Sequence, residues 1–489
     1  MKALESLEVR CLLSSVVNGV LKITGTEDAD RIDVTLANHN ITVNQHNGHT
    51  PKTYTSGSIK SIFVDLKGGD DSIKIAEAIH QPGTLLGGAG KDYFQVGGGN
   101  DLIDGGTSDD TLDYSNRLNG VVIHASAASD GTETAEAGRY HLVEVDHEDF
   151  EKVLDEHDKI SGVQKFIGTN DADEISITSD GSDKSTTKFS RMTFDARGGQ
   201  NDFLTTGVKQ LKKYLPPVTY IGGSDIDLVD IQGIPATLRT GAGEDEIFVG
   251  PFGSSNTPPI LHDVDGGSST THGYEDIDTM DYLGILNATL QVPKGIDNFT
   301  GTPGNEIIIG NSADNILAGG GGYDVILGGA GNDILSADGR DNNTLMGGPG
   351  DDVYDFFWED FNKPVAIVPN DFVSEKPNEG NDTLAFTFLK GGGLKVDLSS
   401  TNGTIASANG ITIFTDTLDG AKNFENVLGS EDNDILIGNA SHNLFKGWGG
   451  NDTFFVKDGN RDSVDGGDGE DTAKRDAGLD VVNSVEHVS

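Results

Sequence analysis

Apolar residues recur along this chain at a nine-residue interval, separated mostly by glycine, aspartate and asparagine. From Gly301 to Asp355 the units read GTPGNEIII, GNSADNILA, GGGGYDVIL, GGAGNDILS, then Ala337 as one extra residue, DGRDNNTLM and GGPGDDVYD. Position 8 is apolar in every unit (Ile308, Leu317, Ile326, Leu335, Leu345, Tyr354). Position 6 is acidic or asparagine (Glu306, Asn315, Asp324, Asp333, Asn343, Asp352). The last three positions, rich in Ile, Leu and Val, predict a short strand with position 8 pointing inward. Glycines at positions 1, 2 and 4 admit left-handed backbone angles and predict a tight turn whose carbonyls converge.

One such unit cannot bury its apolar residue alone. Two make a flattened coil of about 18 residues, and coils stacked at roughly 4.8 Å give two parallel sheets around a thin core. The predicted fold is therefore all-β, a parallel β-roll or β-helix solenoid interrupted by β-rich irregular inserts. Turns 18 residues apart lie over one another, which pairs Asp92 with Asp110, Asp227 with Asp245, Glu306 with Asp324, Asn315 with Asp333, and Asp434 with Asp452. Across Ala337 the spacing becomes 19, for Asp324–Asn343 and Asp333–Asp352.

The same frame recurs elsewhere. It reads GGAGKDYFQ, VGGGNDLID and GGTSDDTLD between Gly87 and Asp113, and GSEDNDILI, GNASHNLFK and GWGGNDTFF from Gly429, then GGDGEDTAK from Gly466. GGSDIDLVD and TGAGEDEIF flank the acid-free unit Ile231–Arg239, which keeps apolar Leu238 at position 8. Isolated copies begin at Gly25 (GTEDADRID) and Gly168 (GTNDADEIS).

Composition sharpens the picture. In 489 residues, 79 acids face 34 Lys plus Arg, for a net charge of −45. Most of the acids are aspartate, the residue of turns more than of helical surfaces. Such charge argues against nucleic-acid partners, which need clustered Lys and Arg, and against anionic membranes. No apolar run approaches the ~20 residues of a transmembrane segment. A single cysteine, Cys11, excludes an internal disulfide framework.

Stacked carboxylates repel. Two charges ~5 Å apart at an effective dielectric of ~20 oppose each other by about 3 kcal/mol. A ladder of them calls for a cation between the rungs. Carboxylate and carbonyl oxygens form a hard-ligand site that suits Ca2+ better than zinc or copper, and better than magnesium with its stricter octahedron. Multiple calcium ions are thus the expected cofactors.

GGAGNDILS and its copies resemble the glycine-rich nonapeptide GGxGxDxUx of the RTX, or hemolysin-type, calcium-binding repeats. The resemblance implies a parallel β-roll in which calcium lies between successive turns, held by the position-6 aspartate and turn carbonyls. It implies metal ligands at Asp92, Asp101, Asp324, Asp333, Asp352, Asp452 and Asp471, and at Asp110, Asp227, Asp245 and Asp434, whose turns lack one or more glycines. Glu306, Asn315, Asn343 and Asn443 depart from the motif at that position.

The arrays divide the chain. Residues 1–17 form an N-terminal export-related segment and 18–86 a β-strand region with degenerate repeats. A repeat block spans 87–115, an insert 116–165, a degenerate block 166–250 and a connector 251–300. The main block is 301–355, followed by a β-rich insert at 356–428 and the C-terminal block and tail at 429–489. Within the first insert, HLVEVDHEDFEKVLDEHDKI predicts a short amphipathic helix carrying Leu142, Val145, Phe150 and Leu154.

Enzyme signatures are scarce. No HExxH occurs, since His147-Glu148 runs into Asp149, Phe150 and Glu151, and no serine sits in a G-x-S-x-G elbow. His141, His147 and His157, with Asp146, Asp149 and Asp155, are the one local cluster resembling a metal or acid–base site, and a solvated acidic segment explains it more simply. Paired carboxylates for glycoside chemistry cannot be picked out among 79 acids, so a polysaccharide lyase or epimerase on a β-helix remains the alternative.

Leu4–Ser15, LESLEVRCLLSS, resembles the Leu-Glu-Pro-Arg-x-Leu-Leu motif near the start of large exported bacterial proteins, with Val9 in place of the proline. Export through an uncleaved C-terminal signal would instead involve AGLDVVNSVEHVS. Either route leads to an extracellular or cell-surface location, where calcium is abundant. The expected function is a secreted, structural or adhesive calcium-binding protein, with extracellular matrix or glycans as candidate partners. A further alternative is a fragment whose roll serves only export and folding.

Overall fold

The computed structural model describes residues 13–46, 50–117, 121–127, 133–146, 149–154, 158–169, 173–179, 192–197, 201–208, 218–223, 226–232, 236–250, 261–265, 279–283, 287–336, 342–356, 371–389, 392–400, 404–408, 411–415 and 420–489. Among these residues there are strands and two short 3-10 turns but no α-helix, and no helix is long and apolar enough to cross a membrane. The chain forms two compact units, Met1–Asp276 and Ile277–Ser489, whose boundary falls inside the connector at 251–300.

The second unit realises the nonapeptide frame most regularly. Successive units contribute strands alternately to two sheets. Ile307–Ile309, Val325–Leu327, Thr344–Met346 and Asp371–Val373 stack in one, all parallel. Asn298–Thr300, Ile316–Ala318, Ile334–Ser336, Val353–Asp355 and Thr383–Ala385 stack in the other. Register follows the frame, so Ile308 lies over Ile326 and Leu345, and Leu317 over Leu335, Tyr354 and Leu384. These position-8 side chains are fully buried and build the core, because a three-residue strand can turn only its middle residue inward. Where the frame lapses, Leu394–Asp397, Thr404–Ala408 and Ile411–Thr415 form an antiparallel excursion, and the parallel stack resumes at Ile435–Ile437.

The first unit uses longer strands on the same plan. Its stacks begin with antiparallel hairpins, Leu13–Val17 with Val20–Thr24 in one sheet and Arg31–Ala37 with Asn40–Gln45 and Lys52–Thr55 in the other. Parallel coils follow, Ser61–Asp65, Gly83–Ala89 and Leu102–Thr107 on one side, Ser72–Ile75, Tyr93–Gln95 and Thr111–Asp113 on the other.

The helix expected after His141 does not form. Glu133–Asp146 and Asp149–Leu154 are antiparallel strands, with Tyr140 opposite Leu154 and a register shift between Glu144 and Asp146. Glu133–Asp146 also pairs with Val121–Ala127 and with Asp158–Ser161. The uneven apolar spacing gave no continuous helical stripe, Val143, Val145 and Val153 favour extended backbone, and open strand edges lay beside them. After this hairpin Asp158–Ser161 and Lys165–Ile167 rejoin the parallel stacks on Leu102–Thr107 and Thr111–Asp113. The export-like segment up to Leu12, with Cys11, lies outside the described residues, as do the side chain of His141 and all of His147 and His157.

Candidate functional site

Each turn is shaped by its glycines, though not in the way expected of position 1. Positions 2 and 4 carry the left-handed angles, as at Gly329 (φ +113°) and Gly331 (φ +125°). Gly328, at position 1, has no positive φ; there a Cβ would collide with Oδ2 of Asp333 and the carbonyl oxygen of Gly347. The first glycine therefore keeps open a small space between a carboxylate oxygen and a carbonyl of the next coil. Gly87, Gly105, Gly447 and Gly466 stand in the same relation to Asp92, Asp110, Asp452 and Asp471.

The position-6 side chains form hydrogen-bonded ladders. The Asn315 N–H donates to Asp333 Oδ1 (2.8 Å), Asp333 N–H to Asp352 Oδ1 (2.7 Å) and Asp352 N–H to Asp382 Oδ1 (2.9 Å). On the other sequence of turns Glu306 donates to Asp324 (2.7 Å), Asp324 to Asn343 (2.9 Å) and Asn343 to Asp371 (2.7 Å). Asp434, Asp452 and Asp471 continue the pattern, Asp434 to Asp452 at 2.8 Å and Asp452 to Asp471 at 2.7 Å. In the first unit Asp92 donates to Asp110 (2.7 Å) and Asp227 to Asp245 (2.9 Å), while Asp101 accepts from Gly83 (2.6 Å) and donates to Asp158 (2.7 Å). Every stacked pair expected from the 18- and 19-residue spacings is present.

Only one carboxylate oxygen is used by the ladder. The second oxygen of Asp71, Asp92, Asp110, Asp333, Asp352, Asp452, Asp462 and Asp471 is buried and has no hydrogen-bond partner. Leaving buried anionic oxygens unpaired is expensive. Desolvation accordingly raises these carboxyls: Asp71, Asp110, Asp352 and Asp452 to about 7, against the hydrogen bond each accepts, with neighbouring acids adding to the rise. Asp333 is raised to about 6 for the same reason, and Asp92 and Asp471 are raised as well.

In the glycine turns, position 2 helps to leave that oxygen open. With positive φ there, as at Gly88, Gly106, Gly329, Gly348, Gly467 and even Trp448 (φ +74°), none of these residues' N–H groups is directed to the position-6 side chain. Threonine or serine at position 2 does the opposite. Ser430 donates to Asp434 Oδ2 through N–H (2.7 Å) and hydroxyl (3.1 Å), Thr26 serves Asp30 in the same way, and Thr169 gives its N–H to Asp173 Oδ2 and its hydroxyl to Oδ1. Asparagine seals the turn more completely. Asn311 N–H donates to Asn315 Oδ1 (3.0 Å), while Asn315 Nδ2 donates to the Ile296 carbonyl (3.1 Å). Asn439 and Asn443 repeat this, with Asn443 Nδ2 on the Glu425 carbonyl (2.9 Å). Asp434 thus differs from the glycine-turn candidates such as Asp333 and Asp452, and Asn315 and Asn443 sit in turns that satisfy themselves.

Ladder members outside the regular frame were missed. Asp71, Asp158, Asp371, Asp382, Asp462 and Asp480 all accept a backbone N–H from the preceding coil. Each sits two residues before an apolar residue on a strand, as in Asp71-Ser72-Ile73 and Asp382-Thr383-Leu384, a signal visible without any glycine.

The family of the RTX calcium-binding nonapeptide repeat matches this chain in four copies, over residues 84–116, 300–335, 336–356 and 428–461. The chain carries RTX calcium-binding repeats on a β-roll, and the ion this class of repeat binds is Ca2+. The matched stretches contain Asp92, Asp101, Asp110, Asp324, Asp333, Asp352, Asp434 and Asp452, and leave out Asp227, Asp245 and Asp471. No curated protein matches the chain.

Proposed function

We propose that this chain is a secreted or cell-surface protein of structural or adhesive role whose roll is completed by calcium outside the cell. The observation that carries the reading is the column of buried, unpartnered carboxylate oxygens facing turn carbonyls. The donor set is anionic and carbonyl oxygen, which fits a hard divalent ion of calcium's size. Asp92, Asp101, Asp110, Asp227, Asp245, Asp324, Asp333, Asp352, Asp452 and Asp471 would hold the ions; Asp434 would do so once Ser430 releases it. Bound calcium supplies charge neutralisation, and the chain's own residues supply the ladder that sets one coil over the next.

Energetics favour a switch. Extracellular modules bind calcium at about 10⁻⁴–10⁻³ M. With free ion at about ten times the dissociation constant, each independent site adds roughly 1.4 kcal/mol. Several sites equal the ~5–15 kcal/mol stability of an ordinary domain. In calcium-poor cytosol the chain stays expanded by self-repulsion; outside, it folds. A calcium titration followed by circular dichroism and stoichiometry tests this, with β-signal appearing as several ions bind. Native β-structure persisting at submicromolar calcium would overturn it. Binding panels of acidic polysaccharides, with and without calcium, test the adhesive role, and deletion of Leu4–Ser15 with secretion followed tests the export route.

A further inference from the structure

The ladder takes several long steps in the second unit, and one of them carries an extra acid. Asp352 donates to Asp382, 30 residues on, where neighbouring rungs are 18 or 19 apart. The turn leading to Asp382 follows the strand Asp371–Val373, and Glu375 stands two residues beyond buried Val373, as Gly347 does beyond Leu345 and Gly328 beyond Ile326. At the place where the repeats have their first glycine, this turn has a glutamate.

That glutamate is buried with two rung aspartates. Glu375 is 2%, Asp352 0% and Asp382 1% exposed. One oxygen from each lies within 4.8 Å of the other two. The remaining oxygens are accounted for by structure: Asp352 Oδ1 accepts from Asp333, Asp382 Oδ1 from Asp352, and Glu375 Oε1 from the Tyr354 hydroxyl, which in turn accepts the Gly347 N–H (2.6 Å). Asp352 Oδ2 and Glu375 Oε2 are buried and have no hydrogen-bond partner. The neighbouring cation turns elsewhere, exposed Lys376 Nζ lying 3.2 Å from half-buried Glu379.

We propose that Asp352, Glu375 and Asp382 form a cation site of their own, taking a calcium-sized divalent ion through three carboxylates and holding it more tightly than the glycine turns do. Glu375 and Asp382 lie outside every stretch matched by the repeat family, and no nonapeptide supplies a glutamate at position 1. In hard-oxygen sites affinity rises with the number of charged ligands. The site fixes the coil at the point where the nine-residue frame is interrupted by residues 356–370. It shares Asp352 with the repeat ladder, while Glu375 and Asp382 come from outside the matched repeats.

The test uses the full chain, stripped with chelator and titrated with calcium, then with terbium excited through tyrosine. Glu375→Gln should bind one ion fewer and lose the tightest step, weakened at least about tenfold, while the remaining steps stay. Glu375→Asp should keep the ion at intermediate affinity. Without calcium, Glu375→Gln should resist urea better than the parent, because a repelling charge is gone; a glutamate with a merely structural role would show the reverse. Should Glu375→Gln not fold, Tyr354→Phe keeps all three carboxylates and should retain the ion count while dimming the tight-phase terbium emission. Unchanged stoichiometry and tightest constant in Glu375→Gln, or unchanged emission in Tyr354→Phe, overturns the site. A parent chain that binds no calcium at all sinks the repeat reading too, whereas binding at the repeats with an indifferent Glu375→Gln sinks this proposal alone.

Discussion

Two turns of the second unit, Gly310–Asn315 and Gly328–Asp333, are successive rungs of one ladder yet solve the same problem differently. In the first, Asn311 and Asn315 close every buried polar group with amides, and the turn is complete as protein. In the second, positive φ at Gly329 leaves Asp333 Oδ2 unpartnered, and the turn is incomplete until something positive enters. The difference lies in two side chains, since the coil geometry and the ladder bond at 2.8 Å join them. On the calcium reading proposed above, the need for an ion is a property of individual turns and is set mainly at positions 2 and 6.

The largest effect that follows is the loss of the open turns on removing calcium. Chelation at neutral pH should abolish most of the β-signal, with amide exchange slowest to rise around the sealed turns at Asn311–Asn315 and Asn439–Asn443. Uniform exchange across sealed and open turns would erase the distinction.

Acid should partly replace the ion. Burial holds Asp71, Asp110, Asp352, Asp382 and Asp452 at about 7 in the metal-free fold, above the unfolded value of about 4. Carboxyls raised in this way favour the fold only while protonated, fully below about pH 4 and progressively less as pH rises through about 7. With chelator present, β-signal should grow as pH falls from about 8 to 5. With calcium present, the same acidification should release ions, which a calcium electrode would detect.

Single turns can be converted. Asp333→Asn should remove one bound ion and stabilise the metal-free chain by about 1–3 kcal/mol, as a buried unpaired anion disappears. The reverse exchange, Asn311→Gly with Asn315→Asp, should add one ion and weaken the metal-free chain by a similar amount. Urea unfolding with and without calcium reads both. A smaller change is expected from Ser430→Gly, which frees Asp434 Oδ2 and should lower metal-free stability by about 1 kcal/mol while strengthening calcium binding there.

Much of this was legible in the residues. Apolar position 8 gave the buried column from Ile308 to Tyr354, and the 18-residue spacing gave the ladder partners, because a three-residue strand leaves little freedom in register. Counting by nines could not reach Asp382 or Glu375, since the chain between Asp352 and Asp382 runs 30 residues before the stack resumes. Position 1 was misjudged because crowding and backbone angle both select glycine and only coordinates separate them. The sealing role of Asn311 was also hidden: a turn amide looks like a lost ligand until its donors are seen on the Pro293 and Ile296 carbonyls. The failed helix around Phe150 shows strand edges overriding a weak local preference.

The ladder also has a direction. At each rung an N–H waits for a side chain one coil nearer the C-terminus, as Asn315 waits for Asp333 and Asp452 for Asp471. A chain released from its C-terminal end would present the acceptor first, and each new coil would find its dock already built. Released from its N-terminal end, every coil would idle until the next full turn arrived. The roll is in this sense a ratchet with a preferred stroke, and assembly rates measured on the two halves joined in either order would reveal it.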